Sequence, residues 1–189
     1  TFHAAELPHL RRQGTATQLI VDGAPFLIRG GELSNSHGEP DYLRAYWPKL
    51  KALNRNTVVA PIYWDAIEPA EGKFDFATVD GLLADARTND LRLVLLWFGT
   101  WKNSMSCYVP AWVKTDTARF PRARNSTGQA MEILTPFDST NRDTDARAFA
   151  ALMRHLRETD GSRTVILVQV ENEIGMIPEA RDRHPAADA

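Results

Sequence analysis

The chain has 189 residues, of which 43% are hydrophobic and 24% are charged, so it fits one globular domain and is neither disordered nor fibrous in composition. The formal net charge is −2, and no cluster of Lys and Arg suggests a nucleic acid or an anionic membrane as a partner. The single cysteine excludes an internal disulfide, the five histidines lack metal-ligand spacing, and no segment reaches the ~18 apolar residues of a membrane span.

The first third of the chain predicts a hairpin followed by a helix. Thr17–Val21 has the pattern of a short strand, and Asp22-Gly23 is a strong hairpin-turn signal. Residues 25–31 then predict a second strand that ends in glycines. Pro40 begins a helix whose apolar residues recur at helical spacing as far as Asn54.

The remaining chain predicts helices that alternate with doubly buried strands. Apolar runs without polar alternation predict strands at 56–63, 91–98 and 164–170. Helical spacing predicts helices at 77–89 and 144–158, with a short helix at 111–115. The residues from 99 to about 140 form a long segment rich in Trp, Ser, Pro and Arg, and the tail 178–189 shows no strand pattern. Alternation of this kind is typical of an α/β fold with a parallel sheet.

Both a doubly wound sheet and a barrel fit this order of elements. Gly30-Gly31 lacks the spacing of the phosphate-binding glycine fingerprint, which disfavours a nucleotide-binding sheet. Polar and aromatic residues instead follow every predicted strand, which is where a barrel builds its active site. They are Glu32, Ser34, Asn35 and His37 after the first strand, Trp64, Asp65 and Glu68 after the second, Trp97, Trp101, Lys102 and Asn103 after the third, and Glu171, Asn172 and Glu173 after the fourth.

These residue types are the ones that a sugar site needs. Tryptophan faces stack on the C–H faces of a pyranose, amides and carboxylates bind its hydroxyls, and a carboxylic acid of raised pKa protonates the leaving oxygen. Glu171 and Glu173 lie two residues apart, so on an extended strand they would face the same way and either could be the proton donor. Pairing of one or both with arginines is the structural alternative. Trp64 could equally be a core residue, and Glu68 could cap a turn.

The motifs at these strand ends resemble those of the family 35 β-galactosidases, within the clan of retaining (β/α)8 glycosidases. The resemblance covers residues 18 to 175 and rests on motifs in the right order, namely Gly30-Gly31-Glu32-Leu33, Trp64 to Phe76, Val109-Pro110-Ala111-Trp112-Val113 and Gln169-Val170-Glu171-Asn172-Glu173. It implies that Glu173 is the catalytic acid/base and that Asn172 holds the sugar 2-hydroxyl. It also implies a substrate-binding role for Glu32, Trp64, Trp101, Lys102 and Asn103. Asn103 stands where better-known members carry a Glu that contacts galactose, so this part resembles a distinct bacterial branch.

A barrel of this type needs ~250 residues, and the sequence predicts only four of its eight strands. We therefore expect the N-terminal half of a TIM (β/α)8 barrel, with about four βα units preceded by a β-hairpin. In this interpretation, residues 1–189 form the N-terminal part of a single catalytic domain. The family's nucleophile, a Glu at the end of strand seven, would lie outside this chain, and the chain alone would be inactive.

The resulting hypothesis is a retaining glycoside hydrolase that removes terminal non-reducing β-D-galactose. The alternatives are the same mechanism on a β-glucoside, β-xyloside or α-arabinoside, and a non-catalytic sugar-binding fragment. The expected partner is a carbohydrate, with no nucleic acid, membrane, metal or cofactor, and homo-oligomerisation stays open. A bacterial periplasmic or secreted location is expected over a cytoplasmic one, although the residues do not fix the compartment.

Overall fold

The structure is a computed structural model, and it describes residues 6–36 and 38–189. His37, which the sequence places after the first strand of the predicted barrel, lies outside the described residues. The fold is α/β with a parallel sheet, as predicted.

The described strands form three sheets, with orders β1-β2-β3, β4-β5-β6-β9 and β7-β8. The strands are β1 (His9–Gln13), β2 (Ala16–Val21), β3 (Ala24–Pro25), β4 (Gly30–Glu32), β5 (Thr57–Tyr63), β6 (Arg92–Phe98), β7 (Arg122–Arg124), β8 (Ala130–Leu134) and β9 (Val165–Val170). The helices are α1 (Pro40–Leu43), α2 (Trp47–Ala52), α3 (Trp64–Ile67), α4 (Ala77–Thr88), α5 (Ala111–Lys114), α6 (Ser139–Thr159) and α7 (Pro185–Asp188).

The chain divides into two compact units, and the first comprises the described residues within Thr1–Pro61, Ala77–Leu95 and His155–Val168. Its hairpin is confirmed, since β2 and β3 pair antiparallel around Asp22 (φ 52°) and Gly23 (φ 76°). Positive φ at both central residues is what the common two-residue hairpin turn requires. The sequence did not predict β1, because its side chains are mostly exposed and lack an apolar alternation.

The predicted strand at 25–31 is wrong as one element, because the chain changes sheets within it. Its first part pairs with β2, whereas β4 pairs in parallel with β5, with Gly30 opposite Thr57. The Asn56 side chain holds the segment that connects β3 to β4. Its Oδ1 accepts from the Arg29 amide at 2.8 Å, and its Nδ2 donates to the Leu27 carbonyl at 2.9 Å.

The predicted helix from Pro40 to Asn54 is interrupted and forms α1 and α2. A proline lies in the first turn of α2, where its missing amide needs no helical partner but its ring disfavours continuation from the preceding turn. The helix predicted at 77–89 is confirmed as α4, whose apolar stripe is buried.

The second unit comprises Ile62–Phe76, Leu96–Arg154 and Gln169–Ala189. Its long irregular segment contains the β7-β8 hairpin, which the sequence did not predict. Helix α6 begins at Ser139 rather than Thr144. The earlier start arises because the Asp138 carboxylate accepts from the amides of Thr140 and Asn141, at 2.8 and 3.2 Å, and so caps the first turn.

Within the described part of the chain, no helix combines the length and apolar character needed to cross a bilayer. Within the same residues, no three His, Cys, Asp or Glu side chains are grouped so that they could hold a metal ion.

Candidate active site

The candidate site lies in the second unit, where the residues after β6 meet the residues after β9. We call residues 99–103 the β6 loop and residues 171–173 the β9 segment. Hydrogen bonds fasten one to the other through backbone, indole and amide groups. They run from the Trp101 indole to the Glu173 carbonyl (3.0 Å), from the Asn172 amide to the Trp101 carbonyl (3.4 Å), from Asn172 Nδ2 to the Lys102 carbonyl (3.0 Å) and from the Trp101 amide to Glu171 Oε2 (3.0 Å).

Glu173 is held by its backbone while its carboxylate stays accessible. The Trp101 indole donates to its carbonyl, and its φ of 43° is rare for a residue with a side chain. The side chain is 65% exposed, and Oε2 lies 3.8 Å from Lys102 Nζ. The Lys102 side chain is only 9% exposed, so a largely buried cation faces the carboxylate. A fixed backbone with a free carboxylate suits proton transfer to a bound molecule.

Asn172 bridges the two segments with its side chain. Its Nδ2 donates to the Lys102 carbonyl, and its Oδ1 accepts from Gln169 Nε2 at 2.8 Å. These contacts fix the amide in place, and its contact with a sugar 2-hydroxyl stays a prediction.

The predicted binding residues of the β6 loop occur together, but they differ in exposure. Trp101 and Lys102 are buried, with 6% and 7% exposure. The Oδ1 of Asn103 accepts from the Met105 amide and the Ser106 hydroxyl, both at 2.9 Å, and so closes a turn. The loop is thus held by internal contacts on both sides, and its contact with a sugar stays a prediction.

Trp64 and Glu68 form a buried polar contact. Trp64 is fully buried, and its indole donates to Glu68 Oε2 at 2.9 Å. Glu68, also fully buried, accepts from the Gly72 amide and from Arg147, both at 2.7 Å. Glu68 therefore caps a turn, as the structural alternative held. Trp64 packs in the core, and sugar binding by it stays a prediction.

Glu32 lies in the first unit, at the end of β4, and is exposed. Its proposed role in the sugar site therefore stays a prediction.

The structure brings a second carboxyl group to the site, which the sequence analysis missed. Asp145, on α6, is 7% exposed and is hydrogen-bonded to Glu171. Burial first, and then the charge and hydrogen bond of Asp145, raise the pKa of Glu171 to about 10. An extended strand through residue 173 would instead place the Glu171 side chain beside Glu173. However, β9 ends at Val170.

A signal for Asp145 was present in the sequence. It lies four, seven and eleven positions before Phe149, Leu152 and Leu156, which places an acidic residue on the apolar stripe of a helix. A buried acid needs a partner, and Gly99 leaves room for one. A Cβ at Gly99 would come within 2.7 Å of Glu171 Oε1 and would also collide with Asp145 Oδ2.

Comparisons with known proteins identify two curated relatives of this chain by sequence. The chain is 32% identical over 95 residues to a "Beta-galactosidase" of Xanthomonas manihotis, covering 47% of this chain and 15% of the relative. It is 40% identical over 57 residues to the human "Beta-galactosidase-1-like protein 3", covering 30% of this chain and 9% of that protein. The chain thus spans a small part of the curated relatives it matches.

A crystal structure of a beta-galactosidase from the psychrophilic Marinomonas ef1 has the same fold. The TM-score is 0.63 at 14% sequence identity, over 83% of this chain and 23% of that one. The model of the glycosyl hydrolases family 35 matches residues 18–187, which is nearly the whole chain. The chain therefore belongs to the glycosyl hydrolases family 35.

Proposed function

We propose that this chain carries the acid/base part of a retaining β-galactosidase site, with Glu173 as the acid/base. One observation carries the proposal. The β6 loop and the β9 segment are joined by several hydrogen bonds, yet the Glu173 carboxylate is 65% exposed and faces the buried cation of Lys102. This arrangement suits a group that exchanges protons with a bound substrate.

In the proposed reaction, Glu173 acts twice. It first gives a proton to the leaving glycosidic oxygen, and it then takes a proton from the water that releases the sugar. Because the Trp101 indole donates to the Glu173 carbonyl, the backbone that carries the carboxylate stays in place through both steps. We assign Lys102 and Asn103 to the sugar hydroxyls, because Lys102 faces Glu173 and Asn103 lies on the same loop. We assign Asn172 to the 2-hydroxyl, and we propose Glu32, Trp101 and Trp64 as further sugar-binding residues.

The retaining mechanism needs a second carboxylate, ~5–5.5 Å from the acid/base, as the nucleophile. We place this nucleophile outside residues 1–189, at the end of a seventh barrel strand. The strand order β4-β5-β6-β9 supports four βα units, and hence the N-terminal half of a (β/α)8 barrel. In this proposal, residues 1–189 belong to one catalytic domain, and the chain alone binds a sugar without hydrolysing it.

Terminal non-reducing β-D-galactose is the proposed sugar, since both curated relatives are named for β-galactosidase activity. Asn103 places an amide where better-known family members carry a carboxylate, so a β-glucoside, β-xyloside or α-arabinoside is the competing substrate. We propose a carbohydrate as the partner, and a periplasmic or secreted location.

The test is hydrolysis of nitrophenyl glycosides by the natural gene product that contains this chain. Galactoside turnover that exceeds turnover of the other three glycosides, and that Glu173→Gln abolishes, is the expected result. Glu158→Gln is the matched control, because Glu158 is exposed on α6. Equal turnover by the Glu173→Gln variant would contradict the assignment. Hydrolysis by residues 1–189 alone would contradict an external nucleophile.

A further inference from the structure

Glu171 and Asp145 lie at the base of the β6 loop, and the described contacts surround them with hydrogen-bond donors. Both carboxyl groups accept from neighbouring amides or an indole. The bonds run to Glu171 Oε2 from the amides of Gly99 (3.4 Å) and Trp101 (3.0 Å), to Asp145 Oδ2 from the Thr100 amide (2.7 Å), and to Asp145 Oδ1 from the Trp97 indole (2.8 Å). The loop backbone is therefore held by the two acids together.

The contact between the two carboxyl groups requires a proton. Ionised carboxylates only accept hydrogen bonds, so two of them repel each other, whereas one carboxylic acid can donate to one carboxylate. Glu171 and Asp145 are hydrogen-bonded through their side chains, and burial and the Asp145 charge raise the pKa of Glu171 to about 10. The coordinates place the two carboxyl groups side by side, because Glu171 Oε1 and Asp145 Oδ2 both crowd the same point beside Gly99. One proton held between them at neutral pH removes their mutual repulsion.

The cations nearby are engaged elsewhere. Cavities of 370 and 260 Å³ flank Glu171, and Arg181 lines the first while Arg142 lines the second. Arg181 pairs with Asp188, and Arg142 pairs with Asp143.

Among the described residues, two further charged side chains lie near the pair, one on the β6 loop and one at the larger cavity. Lys102, on the β6 loop, faces Glu173. Asp182, which lines the larger cavity, accepts from the amides of Arg124 and His184, both at 2.8 Å. In the part of the chain that the structure describes, no ion pair joins Glu171 to either of these groups.

The pair also acts on the β9 segment, because Glu171 is directly followed by Asn172 and Glu173. Glu171 and Glu173 have φ values of 61° and 43°, in the left-handed region where residues with side chains are strained. Such strain persists only where the surroundings fix it. The Glu171 side chain, bonded to Asp145 and to the β6 loop, provides that fixation.

We propose that Asp145 and Glu171 share one proton and serve as a positioning pair, which holds the backbone of Asn172 and Glu173 against the β6 loop. The importance of this position for catalysis rests on the proposed function, whereas the shared proton does not. Neither acid touches the substrate in this account. Their effect passes through the backbone and through the Trp101 indole, which donates to the Glu173 carbonyl.

The test uses the 189-residue chain with glutamate labelled with ¹³C at Cδ, and it needs no ligand. We expect the carboxyl resonance that Glu171→Gln removes to report a protonated carboxyl group through neutral pH. We also expect the indole Nε1–H resonance of Trp101 to shift with the same midpoint. In Glu171→Gln, whose amide can still donate to Asp145, this resonance should lose its pH dependence.

Glu158→Gln is the matched control, because Glu158 is an exposed acid on the same helix and does not line either cavity beside Glu171. It should leave both titrations unchanged, whereas Asp145→Asn should lower the Glu171 midpoint and leave the part of the shift that burial causes. A Glu171 resonance that titrates near its ordinary value of 4.5 would overturn the shared proton. If the chemical shift of the Trp101 indole Nε1–H does not change as Glu171 titrates, the positioning role is wrong. Galactose titration into the same sample tests the proposed function separately, so the two failures are distinguishable.

Discussion

Replacing Glu171 with Gln is expected to remove a pH dependence from the free energy of unfolding. Burial, and then Asp145, raise the pKa of Glu171 from its ordinary value of 4.5 to about 10. Between these pH values the folded chain keeps a proton that the unfolded chain releases. The free energy of unfolding therefore falls as the pH rises from 4.5 to about 10, with a slope of ~1.4 kcal/mol per pH unit for one proton.

The assay is urea unfolding, followed by tryptophan fluorescence at several pH values between about 6 and about 8. The difference in unfolding free energy between the parent chain and Glu171→Gln cancels the other titrating groups. We expect that difference to change by ~1.4 kcal/mol per pH unit, with the variant gaining relative stability as the pH rises. Glu158→Gln should run parallel to the parent chain. A pH-independent difference for Glu171→Gln would refute the shared proton.

Two further substitutions test how the second unit is packed. Gly99→Ala places a methyl group against the carboxyl groups of Asp145 and Glu171, so we expect a loss of roughly 1–3 kcal/mol in unfolding free energy, measured in urea. Arg147→Met leaves the fully buried Glu68 without its cation. Because the arginine is half-exposed, we expect about 2 kcal/mol, below the usual cost of breaking a fully buried pair.

Each of these substitutions has a control in the same chain. Gly161→Ala should be nearly neutral, since a Cβ there would meet nothing within 4 Å among the described residues. Arg154→Met removes an exposed arginine from the same helix as Arg147 and should change stability little. If Gly99→Ala or Arg147→Met unfolds no more easily than its control, the corresponding contact does not stabilise the chain.

Elements with a strong hydrophobic signal could be predicted from the sequence. Strands β5, β6 and β9 and helix α4 are apolar runs or stripes that local sequence alone reveals, and they occur close to their predicted bounds. The prediction that β9 is buried on both faces is wrong for this chain, because only Ile166 of that strand is buried. Strands β1 and β7 have no such signal, because they are short and mostly polar. Strand β8 carries apolar residues, but it is only five residues long and pairs with β7 in a two-stranded hairpin. The division of the predicted strand at 25–31 depends on Asn56, which lies far along the chain.

The candidate site could be predicted only where its residues have a local signal in the sequence. Glu173 and Asn172 end an apolar strand, which is a local property of the sequence. The partner of Glu171 is on α6, and only the tertiary structure shows that Asp145 faces it. An extended strand would have placed Glu171 beside Glu173. The positive φ of Glu171 instead turns its side chain toward Gly99 and Trp101.

The most direct test of the central claim is the product that Glu173→Ala forms with azide. In the gene product that contains this chain, the variant should still release dinitrophenol from a dinitrophenyl β-galactoside, because such a leaving group needs no proton. It should cleave galactosides with poor leaving groups at least ~100-fold more slowly than the parent enzyme. Added azide should restore turnover and yield β-galactosyl azide, with retained configuration. Equal losses for all leaving groups, with no azide product, would contradict the assignment of Glu173 as the acid/base.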